Sequence, residues 1–315
     1  MANPMVHIVD VKITRLKNRR SDTISGMALR TVAEPPASVL AAFQLAGVVR
    51  PLPGGQGQSF RVGDAVVKPA GNREEAEWSA RLFAGLQAAE FRVPRPCRSR
   101  DGAYVVDGWT ASEFLAGQAG PAGRWAWLLA VSKAFHRELR DVPRPDFLDR
   151  RDHSWAIADR IAWSEMSQSL PTNAEAQLSG LLGLRRPVEA PEQLIHGDLT
   201  GNVLFHPNQS PTVIDFSPYW RPADYADAIV VADGLLYHGA GSELVDTFLT
   251  GYQRLQMLVR ALIFRLATLI VWKGPDQEVP EDELTRFARV THLVKVFERR
   301  ILTENASAIQ ETGRP

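Results

Sequence analysis

The chain has 315 residues, with 36 Lys+Arg against 36 Asp+Glu, 45% hydrophobic and 23% charged residues. That length buries a large core and accommodates two lobes, and the charge balance excludes a bulk field that would attract nucleic acid or an acidic membrane. The single cysteine, Cys97, excludes an internal disulfide framework and points to a reducing compartment. With no signal-peptide order at the start and no uninterrupted apolar run of about 18 residues, the expectation is a cytoplasmic protein without a membrane partner.

In chain order, residues 1–30 are expected to form a flexible tail. Its basic run Arg15-Leu16-Lys17-Asn18-Arg19-Arg20 has no apolar face and reads as solvated. Pro35 to Val49 predicts a short helix, with Val39, Leu40, Phe43, Leu45 and Val48 as its apolar stripe. Next comes a glycine-rich stretch, Gly54-Gly55-Gln56-Gly57-Gln58-Ser59, and then Ala65-Val66-Val67-Lys68 as a strand. Glycines permit close backbone approach to phosphate, and their amides can cradle it. No Gly-Lys-Ser/Thr follows, so this is not the loop of nucleotide triphosphatases.

Arg73 to Ala88 is helical in composition, with Glu74 and Glu75 in the first turn and Glu77 deeper. A hairpin follows around Ser99-Arg100-Asp101-Gly102, then a strand over Trp109 to Gly117. Gly117, Gly120, Pro121 and Gly123 mark a boundary. Trp125 to Leu139, Val259 to Trp272 and Asp282 to Leu302 predict further helices, the second mostly apolar. Residues 141–165 mix arginines and carboxylates, which gives no net field for selecting a polycation.

The chemistry concentrates in Leu194-Ile195-His196-Gly197-Asp198-Leu199-Thr200-Gly201-Asn202, followed by Val213-Ile214-Asp215-Phe216. Two apolar, β-favouring runs lead into carboxylates, and Asn202 stands four residues beyond Asp198. Such a set offers hard oxygen ligands to a divalent cation and a further carboxylate as base. Zinc hydrolysis would want His or Cys at ligand spacing, which His196 and His206 do not supply. A serine hydrolase would want Gly-x-Ser-x-Gly, which is absent from the sequence.

His-x-Asp-x-x-x-Asn followed by Ile-Asp-Phe resembles the catalytic and metal-binding loops of kinases. The spelling His196-Gly197-Asp198, with Gly where protein kinases carry Arg, resembles the aminoglycoside phosphotransferase and choline-kinase-like small-molecule kinases, in particular an actinobacterial branch of mostly unassigned acceptors. The resemblance implies an α+β, bilobal protein-kinase-like fold with a small β-rich N-lobe over 31–117 and a larger, mainly helical C-lobe over 118–315. It implies ATP (GTP not excluded) and Mg²⁺ as cofactors, and transfer of the γ-phosphate to a hydroxyl of a small-molecule acceptor. Asp198 would act as base, while Asn202 and Asp215 would be catalytic metal ligands. Gly55, Gly57, Ser59 and Lys68 would bind the nucleotide phosphates, one of Glu74, Glu75 and Glu77, Glu77 by preference, would hold Lys68 by an ion pair, and Glu113 to Leu115 would offer backbone groups to the purine. An Asp of the Asp224-Tyr225-Ala226-Asp227 segment, Asp227 by preference, would brace the catalytic loop. His136 is read as packing. The other function class is a kinase-like module that binds nucleotide or a partner and transfers nothing; ADP release from Mg-ATP discriminates the two.

Overall fold

The computed structural model describes residues 33–53, 58–121, 123–166 and 172–312. The expected tail over 1–30 lies outside these, as do Gly55 and Gly57. Two compact units emerge: Met1–Gln118 with Leu204–Ile214, and Ala119–Val203 with Asp215–Pro315.

The first unit begins with helix α1 (Ala37–Ala42), shorter than the helix expected to Val49 because Gln44 turns the chain left-handed at φ 58°. Strands β1 (Val49–Pro51), β2 (Phe60–Val62), β3 (Ala65–Pro69), β4 (Val105–Val106) and β5 (Trp109–Glu113) form an antiparallel sheet in the order β1-β2-β3-β5-β4, and a two-residue strand β6 (Gln118–Ala119) follows in sequence. Val62, Val67 and Ala111 alternate inward and meet Val39 and Phe43 of α1 in a buried cluster. Helix α2 (Arg73–Gly85) starts on Asn72, whose side chain accepts the Glu75 N–H at 3.1 Å. None of its residues is fully buried.

The expected division assigned residues 204–214 to the C-lobe, yet this hairpin of β8 (Val203–His206) and β9 (Gln209–Val213) belongs to the first unit. Main-chain bonds from Arg92 to Pro211 and from Val213 to Arg92, both 2.8 Å, tie it there. Hydrogen-bonding strand edges override position in sequence.

The second unit is mainly helical. It contains α3 (Trp125–Glu138), a 3₁₀ turn over Asp146–Arg150, α4 (Ser154–Ala162), α5 (Glu175–Leu184), α6 (Ala223–Tyr237), α7 (Ser242–Phe248), α8 (Tyr252–Lys273) and α9 (Glu281–Thr312). Helix α8 is apolar and long enough to cross a membrane, but 78% of that stretch is buried inside the protein, against α4 and α6. Two short strands, β7 (Gln193–His196) and β10 (Pro218–Arg221), pair antiparallel with Pro218 opposite His196 and Tyr219 opposite Ile195. Because the pair is antiparallel, the chain leaves β7 after His196 and enters β10 at Pro218 on the same end of this ladder, so Asp198 and Asp215 both adjoin that one end.

Candidate active site

Strand β7 is buried along Leu194, Ile195 and His196, and the chain leaves it into the loop holding Asp198. His196 is anchored twice. Its backbone N–H donates to His136 Nε2 at 3.0 Å, and its ring Nδ1 accepts the Asp198 N–H at 3.1 Å. Since His136 Nε2 accepts, its proton sits on Nδ1, which donates to Ser132 Oγ at 3.2 Å. The Ser132 hydroxyl in turn donates to the Asp227 carboxylate. Asp227 thus reaches the loop through two intermediaries rather than by touching its backbone.

Burial sets the charge states along this chain. Desolvation, followed by the neighbouring His196, pulls His136 down to about 3, so its ring is neutral. Desolvation pushes Asp227 up to about 7, against the stabilising Ser132 bond.

Asp198 itself is held from two sides. Arg265 Nη2 donates to its Oδ1 at 3.0 Å, and Asn202 Nδ2 donates to its Oδ2 at 3.1 Å. Asn202 Nδ2 also donates to the Asp198 carbonyl at 2.7 Å. Two acceptors on one side fix the amide's orientation, so Asn202 Oδ1 faces away from Asp198 and keeps its lone pairs. The Asp198 side chain remains 38% exposed. A carboxylate offers about four lone-pair sites, so two donors leave it able to accept another proton-bearing group.

Asp215 adopts φ 50°, in the left-handed region that Asp tolerates better than most side chains. The segment after it is pinned beside the loop. Phe216 packs edge-on against His196 at 5.5 Å and Phe135 at 5.8 Å, and Ser217 accepts the Gly197 N–H at 2.9 Å. Asp215 and Asn202 each carry hard oxygen donors of the kind that suits Mg²⁺. Among the described residues no group of three or more His, Cys, Asp and Glu could hold a metal ion.

In the first unit, Lys68 lies on β3 opposite Thr110, whose hydroxyl donates to the Lys68 carbonyl at 3.3 Å. Glu77 departs from expectation. Its carboxylate accepts the Val105 N–H at 3.2 Å and lies 3.6 Å from Arg81, and Lys68 is not among its partners. The physical reason is the face of α2 on which it falls, which is turned to the edge strand β4. Ser59 offers its carbonyl to the Leu52 N–H at 2.8 Å. Around the expected purine contact, the Glu113 N–H donates to Arg95 and the Phe114 N–H to Asp64, at 2.8 and 2.7 Å. Among the described residues the Leu115 N–H meets no main-chain acceptor. Glu113 and Leu115 line a cavity of about 190 Å³ with Phe91, Val93 and Arg95.

A second cavity, about 160 Å³, opens in the helical unit beside Tyr219 and Trp220, lined by four arginines and four carboxylates. Two of the arginines are paired locally with carboxylates. Arg221 donates to Asp159 at 2.6 and 3.0 Å and to Glu165 at 2.6 and 2.8 Å, and Arg144 to Asp149 at 2.5 and 2.8 Å.

Sequence reasoning missed Arg265. It interrupts the apolar run Ala261-Leu262-Ile263-Phe264 on α8, and Asp233 likewise interrupts an apolar α6. A charge inside a mostly apolar helix must find a partner; that signal flags both residues, but α8 also carries Arg260 and α6 also carries Asp227, so it does not say which charges pair. Arg265 Nε and Nη2 grip Asp233 at 2.8 and 2.7 Å. Burial opposes its charge, but Asp233 and Asp198 outweigh this and raise its pKa above the usual guanidinium range.

Residues 48–262 match the family model described as the APH phosphotransferase enzyme family. No curated protein matches the sequence. Among solved structures, choline kinase LicA from Streptococcus pneumoniae is 13% identical with a TM-score of 0.56, over 82% of this chain and 96% of its own. A thermostable mutant of aminoglycoside phosphotransferase APH(4)-Ia in apo form is 15% identical, with a TM-score of 0.52 over 82% of this chain and 97% of its own. A ternary complex of such a mutant with ADP and hygromycin B is 14% identical, with a TM-score of 0.53 over the same shares. These neighbours give the expected protein-kinase-like fold, a small antiparallel sheet with a mostly helical remainder.

Proposed function

Because the chain belongs to the phosphotransferase enzyme family, we propose that it moves the γ-phosphoryl group of ATP, or of GTP in its place, onto a hydroxyl of a small molecule with Asp198 as base. Family membership makes the protein a small-molecule kinase; the roles of single residues rest on the loop geometry. The observation that carries the reading is the Asp198 carboxylate, fixed by two donors and still 38% exposed.

In the proposed step the acceptor oxygen bonds to the γ-phosphorus as the bond to the β-phosphate oxygen breaks. The hydroxyl proton goes to Asp198, and the nucleoside diphosphate leaves. Little covalent work falls to the protein, so orientation of the hydroxyl and neutralisation of phosphate charge supply most of the acceleration. Asn202 Oδ1 and the Asp215 carboxylate would hold Mg²⁺, which when bound neutralises phosphate charge. We assign Lys68 to the donor phosphates and the Leu115 N–H to the purine edge. The glycine-rich stretch around Gly55, Gly57 and Ser59 keeps its sequence-based assignment to the phosphates. The equal numbers of arginines and carboxylates lining the cavity at Tyr219 and Trp220 argue against an acceptor chosen for multiple positive charges.

The test is ADP release from Mg-ATP against a panel of hydroxyl compounds. Asp198→Ala is expected to abolish turnover with nucleotide affinity nearly unchanged, because the base does not bind nucleotide. Asp215→Ala is expected to weaken Mg-nucleotide binding itself, read by calorimetry. Wild-type turnover in the Asp198 variant would remove the mechanism.

A further inference from the structure

We infer that Arg265 is a positioning residue for the reaction: it sets the direction of the Asp198 carboxylate from the core of the helical unit. The inference rests on the reading of Asp198 as base.

The guanidinium makes a closed fork on Asp233 through Nε and Nη2, and Asp233 is fully buried on α6. That fork alone would satisfy both charges. The second hydrogen of Nη2 instead reaches out to Asp198 Oδ1 at 3.0 Å. One cation thus joins a fully buried carboxylate to a partly exposed one. The fork fixes the plane and rotation of Arg265, so the third bond has a fixed origin and direction. A carboxylate swings about two side-chain torsions, and Asn202 at 3.1 Å restrains only the other oxygen. Contacts on both oxygens are needed to fix the plane in which the remaining lone pairs point. The origin of this restraint is α8, whose residues from Leu255 to Thr268 are buried, rather than a loop. Buried ion pairs contribute little net stability against apolar substitutes, so the arrangement is better explained by geometry than by folding energy.

Removing Arg265 alone would strand Asp233 as an uncompensated buried charge. The test therefore uses Arg265→Met together with Asp233→Asn, which neutralises both partners. Turnover is measured with Mg-ATP and the best hydroxyl compound of the panel, with water serving as acceptor if none turns over. The expected result is a kcat about 100-fold lower, as for a misplaced reacting group, with KM for Mg-ATP within about 2-fold. A crystal structure of the double variant should show the Asp198 carboxylate rotated off its wild-type plane. Arg265→Lys, which keeps the charge but not the fork, should recover part of kcat. The inference is overturned if the double variant keeps kcat within about 3-fold of wild type, or if the Asp198 carboxylate keeps its plane. Asp198→Asn separates the two failures. Lost turnover there, with an active double variant, removes only the role of Arg265, whereas retained turnover removes the base itself.

Discussion

A methyl group at position 197 has no room. A Cβ built there would fall on Cδ2 and Cε2 of the Tyr219 ring, closer than real Cβ atoms come. The ring cannot yield, since Phe264 meets it edge-on at 5.9 Å and Arg151 lies over its face at 5.3 Å. This gives a physical reason for Gly between His196 and Asp198, where protein kinases carry a long side chain. Gly197→Ala is expected to cost about 1–3 kcal/mol as an overpacking substitution and to lower kcat by tilting the Asp198 loop. In a Tyr219→Ala background the same change should cost much less, and a double-mutant cycle in urea measures the coupling. Additive effects would show that the ring is not the obstacle. At this scale local spacing in the sequence singles out Asp198, Asn202 and Asp215 as candidates, since they fall within one short motif. The sequence was not legible for Arg265, whose partners lie 32 and 67 positions away, nor for Glu77, whose partner depends on which face of α2 meets β4.

Between elements, the buried line from α6 through α3 to β7 makes a prediction about pH. In the folded protein Asp227 titrates near 7 and His136 near 3, against ordinary values of 3.8 and 6.5. For Asp227 the folded state binds the proton more tightly, so its contribution to stability falls as pH rises from about 4 to 7. For His136 the folded state binds it less tightly, so its contribution is lost as pH falls from 6.5 towards 3. From about 4 to 6.5 the folded pair is Asp-H with neutral His and the unfolded pair is Asp⁻ with His⁺. The proton count is the same, so the two slopes cancel. Each single substitution should expose the other slope. The stability of wild type relative to Asp227→Asn is expected to rise on acidification from pH 7 to 4, by up to about 4 kcal/mol for the full shift. Relative to His136→Asn it should fall over the same range. Urea unfolding from pH 4 to 8 reads both, and parallel slopes in the two variants would refute the coupling. Read from sequence, His136 is a packing residue and Asp227 a loop brace. Both readings have the right location, but the bridge through Ser132 depends on the register of α3 against α6, which no single helix specifies.

For the molecule as a whole, two helices that the sequence shows differ sharply in how deeply they are buried. Helix α8 is almost wholly enclosed, with Leu255, Leu258, Val259, Ala261, Leu262, Ile263, Leu266 and Ala267 fully buried. Helix α2 has no fully buried residue; its ties include the Asn72 cap, the Glu77 bond to Val105 and the Arg95 bonds to the Phe83 and Ala84 carbonyls. The sequence shows both as helices, because periodicity reports a helix whether or not a core receives it. What it cannot report is how much of the apolar stripe is covered, since that depends on elements distant in the chain. Opening α8 exposes the core of its unit, so its amides should exchange with solvent only through global unfolding of that unit, whereas α2 should exchange through local opening at much lower free energy. Hydrogen exchange followed by mass spectrometry distinguishes these. The protection of residues 257–267 should track the urea-measured stability as pH or denaturant is varied, and that of residues 73–85 should not. If instead α8 exchanged as readily as α2, the helix would not be the rigid seat that Arg265 requires to hold the Asp198 carboxylate in place.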